Sequence, residues 1–569
     1  MPEHAVVRAR RRPASALLLP GLVAGALAVV PSPAGADRDR WLTEQHEFAG
    51  AVSFEPEDGG VLTVDGERGY HGRITLRPDG QLINEVAIED YVAGVAEMPA
   101  RWPMEALKAQ AVAARTYAWW HAERAGDSRT DLCATTACQV YRGVGVVEDD
   151  GERWAEAVAA TAGEVLMADG GPLLARYFST SGGRTFDNAE VFPSTGEQPG
   201  LVGIDDPDDA VSPYHRWTVS FDRELFDQLL ARGERLSAVV PVGEVHRRGD
   251  VDDPDATIVV TGEDGETVEV GAGELRDFLS RVAPDLRPDA YPGRADDGLR
   301  RLPSTVPTAR YAVTVDDEQV VLDGRGWGHG VGMGQYGARG RAERGQDYQE
   351  ILAAYYDGAA PVTTERLPET IRVDLGVSDR VTIGGDTPVT VVDEPPVRML
   401  GTWTARASGD GWLLEPPEHT TAPLVVSSTR EVERLGWSHG TAVEVEVNKP
   451  VDLHLEVRER AADGEVVLDR RVRVVDAGVH TATWRHTDPD GRPVPPGDYA
   501  VTLRATDALG SVAGEPVVVT VDDADHDAAT ATDGDRNQAP TVPTPVIVAM
   551  VVLPAALLLI WISSRKGRT

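Results

Sequence analysis

The chain has 569 residues, too many for one hydrophobic core, so we expect two to four folded units. Its charge is strongly unbalanced: 55 lysines and arginines stand against 92 aspartates and glutamates, a formal net charge of −37. A surface of this sign repels phosphate, which excludes nucleic acid as a partner, and it gives no electrostatic attraction to anionic lipid.

Both ends of the chain carry the pattern of a targeting segment. At the N-terminus, arginines precede an apolar run and the small residues Ala34-Gly35-Ala36, which predicts a signal peptide over residues 1–36. At the other end, residues 546–562 are almost wholly apolar and predict a transmembrane helix of roughly 25 Å. The basic tail 563–569 is then cytoplasmic. We therefore expect an exported protein on the extracytoplasmic face of the membrane, anchored by its C-terminal helix.

Strand and helix patterns alternate between residues 46 and 358. Short alternating apolar runs, bounded by Asp-Gly and other glycine turns, predict strands and hairpins from about 48 to 89. Pro103 then opens an alanine-rich helix that runs to about Ala122, and a second helix is predicted at 152–161. We interpret 46–358 as one mixed α+β domain.

Beyond residue 367 the pattern is all-β, with short alternating runs separated by glycine, proline and aspartate. We expect a small β domain over 367–430 and a β-sandwich over 438–522. Residues 523–545 have almost no large apolar side chain, which predicts a disordered acidic linker. The predicted fold class is an α+β domain followed by all-β modules and one C-terminal transmembrane helix.

The first candidate site residue is Glu97, which lies between two helical segments and is followed by Met98 and Pro99. A carboxyl group with apolar neighbours tends to have a raised pKa, which suits a general acid. The alternative is a solvated glutamate at the end of a helix. On the helix that follows, Gln110 and Arg115 are unusual, because a buried arginine needs a partner: either a structural one or a substrate carboxylate.

A second group of candidates occupies the segment 177–185. Hydroxyl side chains followed by two glycines let the backbone approach a polar ligand closely, as a sugar site requires, although a plain turn has the same pattern. The candidates are Tyr177, Ser179, Ser181, Gly182, Gly183 and Arg184.

A third group lies in the segment 324–337, where a glycine stands at nearly every second position. This spacing predicts an extended segment with one bare face, against which another strand or a ligand must lie. The formal dinucleotide-binding motif within it is weak, because no apolar strand leads into it. The candidates are Trp327, His329 and Gln335. For His329 alone, a structural hydrogen-bonding role is the more common alternative.

Cys133 and Cys138 are the only cysteines. In an exported protein a disulfide is the default interpretation. A zinc site is the alternative, since His121 lies upstream, but it needs two further ligands that are not evident between the cysteines.

In their order and spacing, these segments resemble the SpoIID/LytB domain family of peptidoglycan lytic transglycosylases and amidase enhancers, over about 46–358. The resemblance makes Glu97 the catalytic glutamate. It also implies functional positions at Arg115, Ser179, Ser181, the Gly182-Gly183 turn and His329. Members that hold zinc through the cysteine loop have a histidine where this chain has Ala137, so we expect no cofactor. Residues 481–499 resemble the Ig-like module of flagellar hook-capping proteins.

The family resemblance implies cleavage of the β-1,4 bond between MurNAc and GlcNAc in peptidoglycan glycan strands. Protonated Glu97 gives its proton to the leaving O4, and the carboxylate then takes a proton from the C6 hydroxyl, which closes a 1,6-anhydro ring. Partners are the glycan strands, the membrane and a wall amidase or other cell-wall protein. Two alternatives are a non-catalytic enhancer of a wall amidase and a muramidase that uses water.

Overall fold

The computed structural model describes residues 40–522 with short gaps. The predicted signal peptide 1–36, linker 523–545, transmembrane helix 546–562 and tail 563–569 lie outside the described residues. The gaps are 67, 127, 149–150, 287–291, 296–297, 302–305, 393–394, 419–423, 425, 433–439 and 460–463.

Two sheets form the base of the first domain. The seven-stranded sheet has the spatial order Val397–Met399, Val389–Val392, Val52–Pro56, Arg73–Leu76, Gln81–Ala87, Thr370–Val377 and Leu132–Cys133, and only its last pair is parallel. The six-stranded sheet has the order His46–Ala49, Gly411–Glu415, Trp403–Ser408, Arg380–Gly385, Leu62–Val64 and Arg68–Tyr70. Alternate side chains such as Phe54, Ile74 and Leu76 are fully buried in one core, as the period-2 pattern predicts.

The strands between 370 and 415 belong to these two sheets, which corrects the prediction of a separate small β domain over 367–430. Thr370–Val377 pairs with Gln81–Ala87, and Gly411–Glu415 pairs with His46–Ala49. Alternating apolar residues identify a strand without identifying the strand that it pairs with. The predicted boundary at 367 therefore falls inside one folded unit.

The helix Met104–Ala125 runs through the core of this unit, one residue after Pro103 and three residues beyond its predicted end. Every residue from Ala109 to Trp119 is buried. Because most of these side chains are small, neighbours approach the helix closely on several sides. The helices that complete the unit are Ile88–Ala93, Gly145–Glu148, Glu152–Ala160, Asn188–Val191, Gln335–Glu343 and Tyr348–Tyr355.

Residues 217–324 form an inserted unit with a core of its own, which the sequence did not predict. Its five-stranded sheet has the order Gly298–Arg301, Pro292–Ala295, Trp217–Asp222, Gln319–Gly324 and Tyr311–Val315. Its three-stranded sheet consists of Val242–Arg248, Thr257–Gly262 and Thr267–Gly271. The helices Arg223–Leu230 and Ala272–Leu286 complete it.

The C-terminal described residues form the predicted β-sandwich. One sheet holds Val426–Val432, Thr441–Val447 and Gly478–Trp484; the other holds Val466–Val475, Val451–Glu459, Gly497–Asp507, Gly510–Ala513 and Val517–Val521. Trp484 and Tyr499 pack edge to face in the core, with ring centroids 5.1 Å apart.

The remaining elements of the described structure are short. They are the 3₁₀ helices Glu57–Gly59, Pro207–Val211 and Leu236–Val239, and the two-residue strands Glu164–Val165, Met167–Ala168, Gly171–Pro172, Tyr177–Phe178, Met333–Gly334 and Val362–Thr363.

The predicted fold class requires one correction. Within the described ranges, no helix is both long enough and apolar enough to cross a membrane, so the transmembrane part of the prediction is not supported. The long helix Met104–Ala125 has sufficient length but carries charged side chains, among them Lys108, Arg115 and Glu123, that a bilayer core would have to accommodate.

Candidate functional site

Glu97 lies in the turn that joins the helix Ile88–Ala93 to the long helix Met104–Ala125. The backbone of this turn is paired with the segment that follows the cysteine loop. Val95 forms a β-bridge with Tyr141, and the Ala96 N–H donates to the Val140 carbonyl at 2.8 Å. The Val140 N–H donates in turn to Glu97 Oε1 at 2.7 Å. Backbone pairing therefore fixes the position of this carboxyl group.

The Glu97 carboxyl is partly buried, and burial raises its pKa above the ordinary value, although hydrogen bonds from Val140 and Gln335 act in the opposite direction. The direction agrees with the apolar neighbours seen in the sequence. Gln335 Nε2 also donates to the Glu97 carbonyl and to Gln110 Oε1, at 3.3 Å each. The structure thus brings together three predicted site residues, with Gln110 fully buried behind Gln335.

Tyr177 lies near Glu97, and a chain of hydrogen bonds holds its hydroxyl group. The Tyr91 hydroxyl donates to Gln139 Oε1 at 2.9 Å, and Gln139 Nε2 donates to the Tyr177 hydroxyl at 2.7 Å. Burial raises the pKa of both tyrosines, and the nearby Glu97 carboxylate raises it further. Both phenols are therefore neutral, and Tyr177 keeps its own O–H proton available for donation.

The carboxylate of Asp209 fixes the backbone of the turn Ser181-Gly182-Gly183. The Ser181 and Gly182 N–H groups donate to its two carboxylate oxygens at 2.9 and 2.8 Å, and His215 Nδ1 lies 3.0 Å from it. Ser181 is fully buried, whereas Ser179 is partly exposed and its carbonyl accepts from the Tyr336 N–H at 3.0 Å. Of these two serines, only Ser179 thus reaches solvent beside the Gln335 helix.

The glycines of 326–332 differ from the predicted extended segment. Gly326, Gly328, Gly330 and Gly332 all have positive φ, between 76° and 109°. A Cβ at Gly332 would lie 2.1 Å from the Arg176 carbonyl, and one at Gly326 would lie 2.7 Å from the Thr180 carbonyl. The glycines therefore allow the segment to pack against residues 176–180, and the close neighbour is protein backbone.

Three further candidates lie along this packed pair of segments. The Val331 N–H donates to His329 Nδ1 at 3.1 Å, and burial together with the Arg176 charge lowers the pKa of His329 to about 4. Trp327 packs edge to face on Tyr214, with centroids 4.7 Å apart. Arg184 is exposed, with its guanidinium 5.4 Å from the centre of the Phe186 ring. No contact among the described residues links Trp327 or Arg184 to Glu97.

Arg115 is not placed to bind substrate, which corrects that prediction. Its side chain is fully buried and forms a two-pronged ion pair with Glu89, at 2.9 and 2.6 Å. A third hydrogen bond goes to the Glu164 carbonyl at 3.1 Å. The guanidinium therefore ties the long helix to the helix before it, and its partner is structural.

Cys133 and Cys138 are joined by the predicted disulfide, with Cα atoms 5.5 Å apart. The bond closes the loop that leads into Gln139 and Val140, which touch Tyr177 and Glu97. Sulfur atoms in a disulfide offer no thiolate to a metal, so this state of the loop does not fit the zinc alternative.

We expect both cysteines to resist thiol labelling without reductant, and metal analysis to find less than one zinc per chain. Cys133→Ser with Cys138→Ser should lower stability by about 2 kcal/mol, because the loop closed is short. Free thiols together with one bound zinc per chain would instead establish a metal site.

Four residues near the site were missed by sequence reasoning: Tyr117, His121, Gln139 and Arg176. Tyr117 packs on His121 with ring centroids 4.4 Å apart and on Tyr177 at 6.3 Å. The sequence contained a signal for Gln139, a polar residue next to the cysteine loop, and His121 was considered only as a zinc ligand. Tyr117 lies within the predicted alanine-rich helix without a distinguishing pattern, and Arg176 lies one residue before the candidate segment 177–185.

Two family models match the chain. The model described as stage II sporulation protein, SpoIID, matches residues 78–167, and the model of the FlgD Ig-like domain matches residues 433–508. The first match includes Glu97 and both cysteines, and the second covers most of the β-sandwich.

Three curated proteins are similar to this chain over about half of its length. An uncharacterized protein of Brachyspira hyodysenteriae is 32% identical over 345 residues, 59% of this chain and 82% of that protein. Stage II sporulation protein D of Bacillus subtilis is 30% identical over 338 residues, 55% of this chain and 88% of that protein. The amidase enhancer of Bacillus subtilis is 31% identical over 293 residues, 46% of this chain but only 38% of that protein.

Proposed function

This chain belongs to the family of stage II sporulation protein D, and from that premise we propose that it cleaves the glycan strands of peptidoglycan, with Glu97 as the acid/base residue. Both resemblances expected from the sequence, to this family and to the Ig-like module of hook-capping proteins, are confirmed. Such a reaction requires the protein to act outside the cytoplasm, and a disulfide is typical of proteins in that environment.

The observation that carries the proposal is the environment of Glu97. Its carboxyl is desolvated enough for the pKa to be raised, and among the described residues no second carboxylate acts on it. A glycosidase with two carboxylates places them about 5–5.5 Å apart when it retains configuration and about 6.5–9.5 Å apart when it inverts. A single carboxyl suits a reaction in which the substrate supplies the second nucleophile.

The lytic transglycosylase reaction has this form. Because the Val140 N–H donates to Oε1, the carboxyl proton resides on Oε2. Oε2–H protonates the O4 of GlcNAc as the C1–O4 bond breaks and an oxocarbenium-like centre develops on MurNAc. The carboxylate then accepts the proton of the C6 hydroxyl while O6 bonds to C1, which closes the 1,6-anhydro ring and returns Glu97 to its protonated form.

Product analysis tests the proposal. Glycan digested with the full chain should carry 1,6-anhydroMurNAc ends in mass spectrometry. Reducing MurNAc ends would instead identify a muramidase that uses water.

A non-catalytic role is the second candidate, because one of the similar proteins is an amidase enhancer. In that case the chain alone would release no glycan product, while it would increase the rate of a wall amidase acting on the same peptidoglycan. The mass-spectrometric digest, run with and without the amidase, separates the two candidates.

The rate of cleavage should fall as the pH rises, because the first step requires the proton on Glu97. Burial raises the pKa of this carboxyl, so the descending limb should lie at higher pH than for an ordinary glutamate. Gln335→Ala removes a side-chain hydrogen bond that lowers the pKa of Glu97, and should therefore move the limb to still higher pH. The measurement is kcat/KM against pH for both proteins. A limb that moves to lower pH in Gln335→Ala would contradict the assignment.

A further inference from the structure

Arg176 is held rigidly at the edge of the site. Its Nε donates to Asn188 Oδ1 at 3.1 Å, and its guanidinium lies over the Phe192 ring, 3.9 Å from the centroid. Asn188 is itself buried, and its amide donates to Thr195 and to the Gly196 carbonyl at 2.8 and 2.7 Å. An arginine whose orientation is fixed in this way loses little conformational entropy when it binds a ligand.

The guanidinium has no carboxylate partner among the described residues. Two other arginines that turn inward each have one: Arg115 pairs with Glu89 and Arg310 with Asp252. Nη1 and Nη2 of Arg176 donate no hydrogen bond within the described residues, and the side chain is partly exposed. A partly desolvated cation with two free donors is an incomplete ion pair, and an anion from outside the protein would complete it.

The location connects this cation to Glu97. Arg176 directly precedes Tyr177, whose hydroxyl accepts from Gln139, and the next residue, Val140, donates to Glu97. Tyr117 lies within electrostatic range of both Arg176 and Glu97, in agreement with this proximity. The imidazoles near Arg176 do not add to the positive charge, because burial and the Arg176 charge lower the pKa of His121 and His329 to about 4. At neutral pH the positive charge at this place therefore comes from the Arg176 guanidinium and not from either imidazole.

We propose that Arg176 binds a carboxylate of the wall polymer while Glu97 acts on the adjacent glycosidic bond. This inference rests on the proposed function. The polymer offers two kinds of carboxylate: the lactyl group of MurNAc where it is free, and the acidic groups of the stem peptide. Arg176 is a specificity residue in either case, and the fork of a guanidinium fits both in the same two-pronged geometry.

Binding is measured with the full chain carrying Glu97→Gln, so that no polymer is consumed. The probes are glycan freed of stem peptides, whole peptidoglycan, and each polymer after its carboxylates are converted to methylamides. Arg176→Gln should weaken binding about tenfold, the value of one charge-assisted contact. The loss should appear on peptide-free glycan if the lactyl group is bound, and only on whole peptidoglycan if the stem peptide is bound. In both cases it should disappear on the amidated polymer.

Arg406→Gln is the matched control, because it removes the same charge from the strand Trp403–Ser408, where Arg406 pairs with Glu415. It should bind like the parent. Arg176→Lys keeps the charge but cannot form the two parallel hydrogen bonds of a guanidinium, so its binding should be intermediate. This variant replaces Arg176→Gln in the test if Arg176→Gln does not fold.

Equal binding by the parent and Arg176→Gln on every polymer would overturn the proposal, as would a loss that persists on amidated polymer. Cleavage by the wild type is assayed separately. Absence of cleavage would refute the proposed reaction, whereas normal cleavage with unchanged Arg176→Gln binding would refute only the role of Arg176.

Discussion

Glu97→Gln is expected to cleave glycan at least about 10²-fold more slowly than the wild type, because the carboxamide keeps the shape of the side chain but cannot move a proton. The hydrogen bond from Val140 to Oε1 can be kept by the amide oxygen, so the turn that holds the residue should be preserved. The measurement is the rate of release of new glycan ends from peptide-free strands.

The same substitution should leave stability at neutral pH unchanged or increased. The folded protein raises the pKa of Glu97, so it holds the carboxyl proton more tightly than the unfolded chain does. The stability that this group contributes is therefore present at low pH and is lost as the pH rises through the raised pKa. Glutamine has no such loss.

Glu123→Gln is the control for this experiment, because it makes the same chemical change at the exposed end of the long helix, where Glu123 pairs with Arg366 at 3.2 Å. It should cleave at the wild-type rate. Cleavage at that rate by folded Glu97→Gln would remove Glu97 from the reaction.

Arg115→Met should produce the largest loss of stability, about 3 kcal/mol, because it leaves the Glu89 carboxylate without its cation. Glu89 is partly exposed, which keeps this figure at the lower end for broken buried pairs. Chemical denaturation measures the change. Adding Glu89→Gln should recover part of the loss, since the unpaired charge is then gone.

The alternative is that Arg115 binds a carboxylate of the substrate. If Arg115→Met unfolds at the wild-type denaturant concentration but loses affinity for glycan, Arg115 contacts the substrate and the ion pair contributes little.

The catalytic role of Glu97 rested on the family resemblance, but a raised pKa for its carboxyl could be predicted from the apolar neighbours Met98 and Pro99. The partner of Arg115 could not. Burial required a counter-charge, but Glu89 lies 26 positions earlier on another helix, and only the packing of the two helices selects it. Arg176 could not be predicted either, because only the folded structure shows that no carboxylate among the described residues pairs with it.

The extended conformation predicted for the glycines of 326–332 was wrong for a different reason. Glycine is compatible both with extended backbone and with the left-handed region, so alternating glycines do not distinguish an open face from a tightly packed one. The strands after 367 were recognised as strands, but their partners were sought nearby. Several of them pair with one another, but four also pair with strands at the other end of the unit, in residues 46–87.

The pairing of strands from the two ends of this unit affects when the unit can fold during synthesis. A ribosome makes the strand His46–Ala49 first and its partner Gly411–Glu415 much later, at roughly 5–20 residues per second. Until the partner is made, the early strands have unpaired backbone groups and cannot complete their sheets. Contacts that join such distant parts of a chain also form slowly. Glu97 and Gln335 both lie between the two strands in sequence, so both residues are made before the sheet formed by these strands can be completed.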